Sequence, residues 1–282
     1  MRLLCLVLVA GCYAPTYAPG GRCTTTCPGD LVCVDSVCVV PGTVVDHDAA
    51  VMIDAPGNVI MIDAPPPPPP IDAPPPDPTL IAHWKFDDNP ANGTALDSTG
   101  NGHNGTCAGA QCPTLVTTGV DGGAYRFDPA VPQYLVVPDS TAFRGVFTIA
   151  MWMYTDNTTK QIAAMSKPVG TGTGNSWQLE DLTDDTVSFS GGSVHSLVSP
   201  AAVPQMTWAH IAGTWDGTTK RLYINGVMVA STASQITYDT HNIYLGADEN
   251  NGTLALPFDG ELDDLRVYNR VLSTSEIAAL AQ

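Results

Sequence analysis

Half of the prolines in this chain lie in one stretch. Twelve of the 24 prolines fall between Pro41 and Pro78, including the uninterrupted run from Pro65 to Pro70. Proline has no backbone N–H and its φ is held at about −65°, so this stretch favours extended polyproline II over a packed core. It has no Lys or Arg. We expect residues 41–79 to form a Pro/Asp-rich disordered linker; the alternative is a proline ligand for a partner's aromatic groove. The linker repeats Ile-Asp-Ala-Pro, beginning at Ile53, Ile62 and Ile71.

The first residues have the pattern of an export signal. Arg2 supplies a positive charge, and a short apolar run from Leu3 to Val9 is followed by small residues. Val9-Ala10-Gly11-Cys12 resembles the lipobox of bacterial lipoproteins, in which the cysteine is acylated and becomes the first mature residue. We therefore expect residues 1–11 to be a lipoprotein signal peptide and Cys12 to carry lipid. The alternative is an ordinary signal peptide with a cysteine near its end.

This pattern also predicts a location. Acyl chains contribute about 0.8 kcal/mol per buried methylene, so a multiply acylated Cys12 anchors the protein to a membrane. A domain on a long spacer suggests the outer membrane or cell surface of a Gram-negative bacterium. The longest apolar run, Leu3 to Ala14, is shorter than the ~20 residues that cross a bilayer, so no mature transmembrane helix is expected.

Apart from Cys5 in the predicted signal peptide and Cys12, the chain has an even number of cysteines. In an exported chain an even set predicts disulfides. Four of them define a small Cys-rich module in residues 12–40, where a zinc site is the alternative and the pairing is open. The other two are separated by small residues, and we expect them to bond to each other. The six cysteines are Cys23, Cys27, Cys33, Cys38, Cys107 and Cys112.

Charge excludes one class of function. The chain has 11 Lys and Arg against 28 Asp and Glu, a formal net charge of −17. A nucleic-acid-binding surface needs a basic footprint, so no nucleic-acid partner is expected.

From about Leu80 the chain consists of short runs broken by turn residues. Thr186 to Ser190 alternates with period two, and Asn225-Gly226 between two apolar runs is a strong hairpin signal. Ser273 to Glu276 has the form of a capping box and predicts one short C-terminal helix. Residues 80–282 are therefore predicted to form an all-β domain, a sandwich or a barrel.

Six segments of this region resemble laminin G-like, concanavalin A-like jelly-roll domains. The resemblance implies an antiparallel jelly-roll sandwich of two sheets over residues 80–282. Trp84, Trp152 and Trp208 are then expected in its core, and His210 is expected to be a packing histidine. The most specific segment is Trp208 to Asn225-Gly226; the others are Trp84 to Gly102, Gly123 to Asp128, Tyr134 to Pro138, Phe147 to Trp152 and Phe258 to Asn269.

Lectins, β-glucanases and adhesive modules share this fold, so the fold does not decide the function. The β-glucanases carry Glu-x-Asp-x-x-Glu on one strand, where period two points the carboxylates into the cleft together. Glu261-Leu262-Asp263 supplies the first two residues, but Arg266 stands where the second glutamate is needed. We expect a non-catalytic binding or adhesion module with a glycan or surface-protein ligand. The alternatives are a β-glucanase-type glycoside hydrolase and a purely structural surface protein.

The resemblance also implies a structural calcium ion at the rim of the sandwich. Calcium takes six to eight oxygen ligands. The first and last strands of such domains are commonly neighbours, which makes Asp87, Asp97 and Asp263 the candidate ligands. The alternative is that these aspartates only cap turns.

Overall fold

The computed structural model describes residues 26–27, 31–34, 37–39, 77–156, 159–192 and 196–282. Backbone contacts divide the chain into two units, Met1–Pro74 and Pro75–Gln282. The predicted signal peptide, Cys12, Cys23 and nearly all of the predicted linker lie outside the described residues.

The described part of the N-terminal unit is a two-stranded hairpin bonded to Cys27 by a disulfide. Strand β1 (Val32–Val34) pairs with β2 (Val37–Val39) in antiparallel register, with Cys33 opposite Cys38. Cys38 is bonded to Cys27, and Cys33 is disulfide-bonded as well. The disulfide interpretation is thus confirmed for these three cysteines over the zinc alternative.

The C-terminal unit is built from antiparallel strands and one short helix. Single turns of 3-10 helix lie at Pro90–Asn92, Gly109–Gln111 and Thr141–Phe143. Helix α1 spans Thr274–Leu280. The strands are β3 (Leu80–Trp84), β4 (Thr94–Ala95), β5 (Gly105–Thr106), β6 (Thr114–Val116), β7 (Ala124–Phe127), β8 (Leu135–Val137), β9 (Phe147–Thr155), β10 (Ile162–Pro168), β11 (Asn175–Asp181), β12 (Val187–Ser190), β13 (Leu197–Val198), β14 (Ala209–Trp215), β15 (Thr219–Ile224), β16 (Val227–Ala233), β17 (Ile243–Leu245), β18 (Asp248–Asn250), β19 (Thr253–Ala255) and β20 (Gly260–Tyr268).

Most strands belong to two sheets. Sheet A has the order β13-β12-β11-β10-β17-β8-β5-β4, and sheet B has the order β16-β15-β14-β9-β20-β7-β6 with β3 also paired to β20. Strands β18 and β19 form a separate hairpin. The predicted all-β jelly-roll sandwich is confirmed, and so is the predicted pairing of the first and last strands, with Trp84 opposite Leu265.

The core lies between the two sheets. Sheet A contributes a cross-strand row, Met165–Leu179–Phe189, and β9 and β14 of sheet B contribute Met151 opposite Ile211. Such alternation arises because successive side chains of a strand point to opposite faces. Side chains of the other parity must therefore lie on the outer face of each sheet.

Local sequence signals set the turns and the helix. Asn225 and Gly226 have φ of 49° and 78° and join β15 to β16 in the predicted two-residue hairpin. Ser273 and Glu276 form the predicted capping box. Cys107 is bonded to Cys112, as expected.

Candidate functional site

The outer face of sheet A is polar. Met165, Leu179 and Phe189 point into the core, so the adjacent cross-strand row points outward. We define the polar face by the side chains of this row and its neighbours: Ser166, Asn175, Gln178, Ser188, Ser190, Tyr244 and Asp248.

Gln178 is the centre of the polar face. Its Oε1 accepts hydrogen bonds from Asn175 Nδ2 and from Ser190 Oγ, both at 3.2 Å. Asn175 Nδ2 also lies 3.2 Å from Asp248 Oδ2, to which it donates. These contacts join β11 and β12 of the sheet to the β18–β19 hairpin.

The β18–β19 hairpin is held against the outer side of sheet A by polar contacts. Ser166 Oγ donates to the carbonyl oxygen of Ala247 at 3.1 Å. The backbone N–H of Gly172 donates to Asn251 Oδ1 at 2.7 Å. The position of Asp248 is therefore set by strands β10 and β11 as well as by its own hairpin.

Several buried atoms of the polar face lack hydrogen-bond partners. They are Asn175 Oδ1, Gln178 Nε2, Ser188 Oγ and Asp248 Oδ1. A buried polar atom left unpaired costs about 1–3 kcal/mol, so folded proteins normally satisfy such atoms with protein, water or a ligand. This set contains a donor, two acceptors and a hydroxyl that does both, which matches a ligand rich in hydroxyl groups.

An aromatic pair extends the polar face. Tyr244 stands opposite Ser166, and its ring centroid lies 6.2 Å from that of Tyr134. Burial raises the pKa of Tyr244, and the charges of Glu249 and Asp248 act in the same direction. The phenol therefore stays neutral at physiological pH and offers an apolar ring beside hydrogen-bonding groups.

Sequence reasoning missed these residues. The one signal was the alternation of Thr186 to Ser190, which predicts that Ser188 lies on the face opposite Phe189. Gln178 and Asp248 come from separate strands, and only the pairing of the strands brings them together.

Asp97 organises a turn. Its Oδ1 accepts from the N–H of His83 and from Thr99 N and Oγ1, and its Oδ2 accepts from the N–H of His103, at 2.7–3.0 Å. Burial acts to raise the pKa of Asp97, but these hydrogen bonds outweigh it and hold the pKa below its usual value. These four hydrogen bonds favour the turn-capping alternative for Asp97, and its role as a calcium ligand stays a prediction.

Asp87 and Asp263 both contact the loop of residues 119–123. Asp87 Oδ1 accepts from Gly123 N at 2.7 Å, and Asp263 Oδ2 accepts from Val120 N at 2.6 Å and Asp121 N at 2.9 Å. Asp263 is fully buried and its Oδ1 has no partner. Burial raises the pKa of Asp263 to about 6.

The unpaired oxygen of Asp263 fits a hard cation such as calcium, which Asp263 and Asp87 would hold against this loop. In the described part of the chain, no group of three or more His, Cys, Asp or Glu side chains is positioned to hold a metal ion. Calcium binding stays a prediction.

Two of the three tryptophans expected in the core are not there. Trp84 is fully buried in the core. Trp152 lies on β9 between the core residues Met151 and Met153, so it points to the outer face of sheet B and is only half-buried. Trp208 precedes β14 and packs against Tyr154 with 5.6 Å between ring centroids. The expectation was wrong for Trp152 because one parity of β9 faces outward, and for Trp208 because this residue precedes β14.

His210 is buried, as expected for a packing histidine, and its ring lies 5.4 Å from that of Trp152. Burial lowers its pKa to about 4, so it is neutral at pH 7.

The partial glucanase motif lies on the last strand. Glu261 accepts from Arg126 at 3.2 Å on the outer face of sheet B, whereas Asp263 binds the 119–123 loop. The two carboxylates are thus engaged by different groups.

A search of the described residues for membrane-spanning helices finds none with the length and apolar character that a span requires.

Comparison with known proteins identifies the family to which this fold belongs. The family model described as the concanavalin A-like lectin/glucanases superfamily matches residues 130–278. Pentraxin-related protein PTX3 of Mus musculus is 26% identical over 152 residues, covering 47% of this chain and 38% of the mouse protein. The chain therefore spans well under half the length of this curated relative.

Solved structures with the same fold have low sequence identity. The binding domain of Paraclostridial Mosquitocidal Protein 1 has a TM-score of 0.58 at 17% identity, covering 72% of this chain and 52% of that chain. Trypanosoma rangeli sialidase has a TM-score of 0.57 at 15% identity, covering 73% and 33%. Domain 4 of AbnA, a GH43 extracellular arabinanase from Geobacillus stearothermophilus solved with arabinotriose, has a TM-score of 0.52 at 23% identity, covering 72% and 98%.

These structures share the fold alone, whereas the family model covers more than half of the 282 residues. The chain belongs to the concanavalin A-like lectin/glucanases superfamily.

Proposed function

We propose that the C-terminal unit is a non-catalytic module that binds a glycan on the polar face of sheet A. The observation that carries the proposal is the set of buried atoms without partners, Asn175 Oδ1, Gln178 Nε2 and Asp248 Oδ1. The hydroxyl groups of a saccharide both donate and accept hydrogen bonds, so they match this set of one donor and two acceptors. The neighbouring ring of Tyr244 supplies an apolar surface for the C–H side of the sugar.

Charge favours a neutral glycan over an acidic one. Carboxylates lie at the polar face and beside it: Asp248 belongs to it, Glu249 is next to Asp248, and Glu180 stands opposite Ser188. From Leu80 onward the chain has 20 acidic residues against 9 basic ones. A sugar carboxylate would meet like charge here, which costs affinity and slows association. Arabinotriose, the oligosaccharide bound to domain 4 of AbnA, is a neutral ligand of this kind.

The non-catalytic role is supported by the state of the candidate acids. A retaining glycosidase needs two carboxyl groups about 5–5.5 Å apart around one scissile bond. Glu261 is paired with Arg126, and Asp263 is buried against Val120 and Asp121. This arrangement favours a structural role for the motif at Glu261.

The N-terminal sequence supports presentation at a membrane. Lipid on Cys12 would anchor the chain, and the Pro-rich stretch would serve as a spacer for the module. The protein should partition into the detergent phase, and Cys12→Ser should leave the precursor unprocessed or release it into the aqueous phase. Unchanged partitioning of the variant would refute the anchor.

Glycan binding is tested with the full chain on an array of neutral and sialylated oligosaccharides, followed by calorimetry on the neutral oligosaccharides that bind. Gln178→Ala should weaken binding of a neutral oligosaccharide by about tenfold, the loss of one or two hydrogen bonds. Gln282→Ala, the same change just after helix α1, is the matched control and should leave affinity unchanged. A preference for sialylated glycans, or equal binding by both variants, would contradict the proposal. Release of reducing sugar, abolished by Glu261→Gln, would favour the hydrolase alternative.

A further inference from the structure

A cluster of aromatic rings lies on the outer face of sheet B. Trp152 and Tyr154 are two residues apart on β9, and both alternate with core methionines. On the neighbouring strand β14, His210 stands opposite Trp152, and just before this strand Trp208 packs on Tyr154. We call Trp152, Tyr154, Trp208 and His210 the aromatic array. Three of its four rings are half-buried and open to solvent along one side.

The aromatic array continues into a charged row across sheet B. In the register of the strands, Tyr154 stands opposite Glu261, Glu261 stands opposite Arg126, and Arg126 stands opposite Thr114. Neighbouring strands are about 4.8 Å apart, so Arg126 lies about 10 Å from Tyr154 across the sheet. The row therefore connects the rings to the far edge of the sheet without a break.

A depression of about 500 Å³ opens at this edge. Arg126 pairs with Asp156 and Glu261 inside the row, and Asp156 follows β9 directly after the aromatic array. Burial raises the pKa of Asp259, and the nearby charges of Asp156 and Asp128 add to the rise. We call this the acidic depression; its polar lining is Thr114, Arg126, Asp128, Gln133, Asp156 and Asp259.

The charge of this region is negative. Around the acidic depression, the carboxylates of Asp128, Asp156, Asp259 and Glu261 face two cations, Arg126 and Lys160, which gives these six groups a net charge of −2. Aromatic faces attract cations, and carboxylates bind ammonium groups through charge-assisted hydrogen bonds. The chain's own Pro-rich stretch is a poor occupant, because it contains aspartates and no Lys or Arg.

We propose that the aromatic array and the acidic depression form a second binding site, for an oligosaccharide that carries protonated amino groups. The rings of Tyr154 and Trp208 stack on the sugar, and the carboxylates of the acidic depression bind its ammonium groups. The site lies on the opposite side of the sandwich from the polar face and uses none of its residues. It therefore does not depend on the function proposed for sheet A.

The test is calorimetry on the full chain at about pH 6, with a glucosamine tetramer and the N-acetylglucosamine tetramer as the two probes. They differ only in whether each nitrogen is a protonated amine or a neutral amide. The glucosamine tetramer should bind about tenfold more tightly, and added salt should reduce this difference. Equal affinity for both probes, or binding of neither, would overturn the proposal.

Variants separate the two parts of the site. Trp208→Ala and Tyr154→Ala should each weaken glucosamine-tetramer binding about tenfold, and Tyr154→Phe should keep it, because the ring is retained. Asp259→Asn should reduce affinity about fivefold with little change in shape. Asp184→Asn, an exposed aspartate in the β11–β12 turn, is its matched control.

Two further results check the ligand class and the independence of the site. Asp259→Asn should leave neutral-glycan binding at the polar face unchanged, so failure of one site is distinguishable from failure of the other. Tetralysine should bind at least about tenfold more weakly than the glucosamine tetramer, because it lacks rings that stack on Tyr154 and Trp208. Tetralysine binding as tight as that of the saccharide would overturn the saccharide assignment.

Discussion

The outer faces of the two sheets differ in the side chains that they carry and in how those side chains are paired. On sheet A and the β18–β19 hairpin beside it, buried polar atoms such as Gln178 Nε2 and Asp248 Oδ1 lack partners. On sheet B, the half-buried rings of Trp152, Tyr154 and Trp208 stand beside carboxylates that are partly ion-paired. Unpaired polar atoms favour a ligand that supplies hydrogen bonds, whereas exposed rings favour an apolar or cationic one. One sandwich thus carries two surfaces with different ligand chemistry.

The largest expected effect is on the free energy of unfolding, and it distinguishes a tryptophan in the core from one on the outer face of sheet B. Trp84 is fully buried and its Nε1 donates to the carbonyl of His103 at 2.9 Å. Trp84→Ala should lower the free energy of unfolding by about 3–5 kcal/mol, because it leaves a cavity in the core. Trp208→Ala should cost only about 1 kcal/mol, the scale of one aromatic pair. Urea unfolding measures both, and similar losses would show that Trp208 belongs to the core.

Calcium should stabilise the rim near sheet B. If Asp263 and Asp87 hold the ion, calcium at about 100 times its Kd adds about 2.7 kcal/mol by mass action and raises Tm. Asp263→Asn keeps the shape of the side chain but should abolish the response. Asp97→Asn tests the assignment of Asp97 to the turn and should retain the response. A wild-type Tm that changes with neither calcium nor chelator would exclude the ion.

A buried carboxyl at the end of sheet A should make stability depend on pH. Burial raises the pKa of Asp181 to about 7, with the charges of Asp185 and Asp184 adding to the rise. The folded state therefore holds this proton more tightly than the unfolded chain, and its contribution to stability falls as pH rises from about 4 to 7. Asp181→Asn should be more stable than wild type at pH 8, by on the order of 1 kcal/mol, and similar to it at pH 3.5.

Asp184→Asn is the control for this effect. Hydrogen bonds from Thr186 lower the pKa of Asp184, which is fully exposed. Removing its charge relieves only its repulsion of Asp181, so Asp184→Asn should raise stability at pH 8 by less than Asp181→Asn does. A gain of the same size in both variants would mean that general charge repulsion, not the burial of Asp181, is the cause.

The smallest expected effect is on stability, in two variants that each remove one unpaired hydroxyl, one on each sheet. Ser188 Oγ lies on the polar face of sheet A and Thr214 Oγ1 on sheet B, and both are buried without partners. Ser188→Ala and Thr214→Val should each stabilise the fold by about 0.5–1 kcal/mol, because the unpaired group is removed. Only Ser188→Ala should weaken binding of a neutral glycan. Loss of binding in both variants would place the ligand elsewhere.

Local patterns in the sequence determined the architecture of the C-terminal unit. The hairpin at Asn225-Gly226, the capping box at Ser273 and the Cys107–Cys112 bond depend on residues close in the chain. Period-two alternation and the family motifs together predicted two antiparallel sheets.

Only the tertiary structure decided which face each side chain occupies and which residues meet there. Trp152 and Met151 are both apolar, so hydrophobicity alone does not show that β9 presents Met151 to the core and Trp152 to the outside. Gln178 and Asp248 are 70 positions apart, and the pairing of sheet A with the β18–β19 hairpin brings them to one face. A strand's periodicity fixes the spacing of its side chains but not which face is buried, because burial depends on the sheet packed against it.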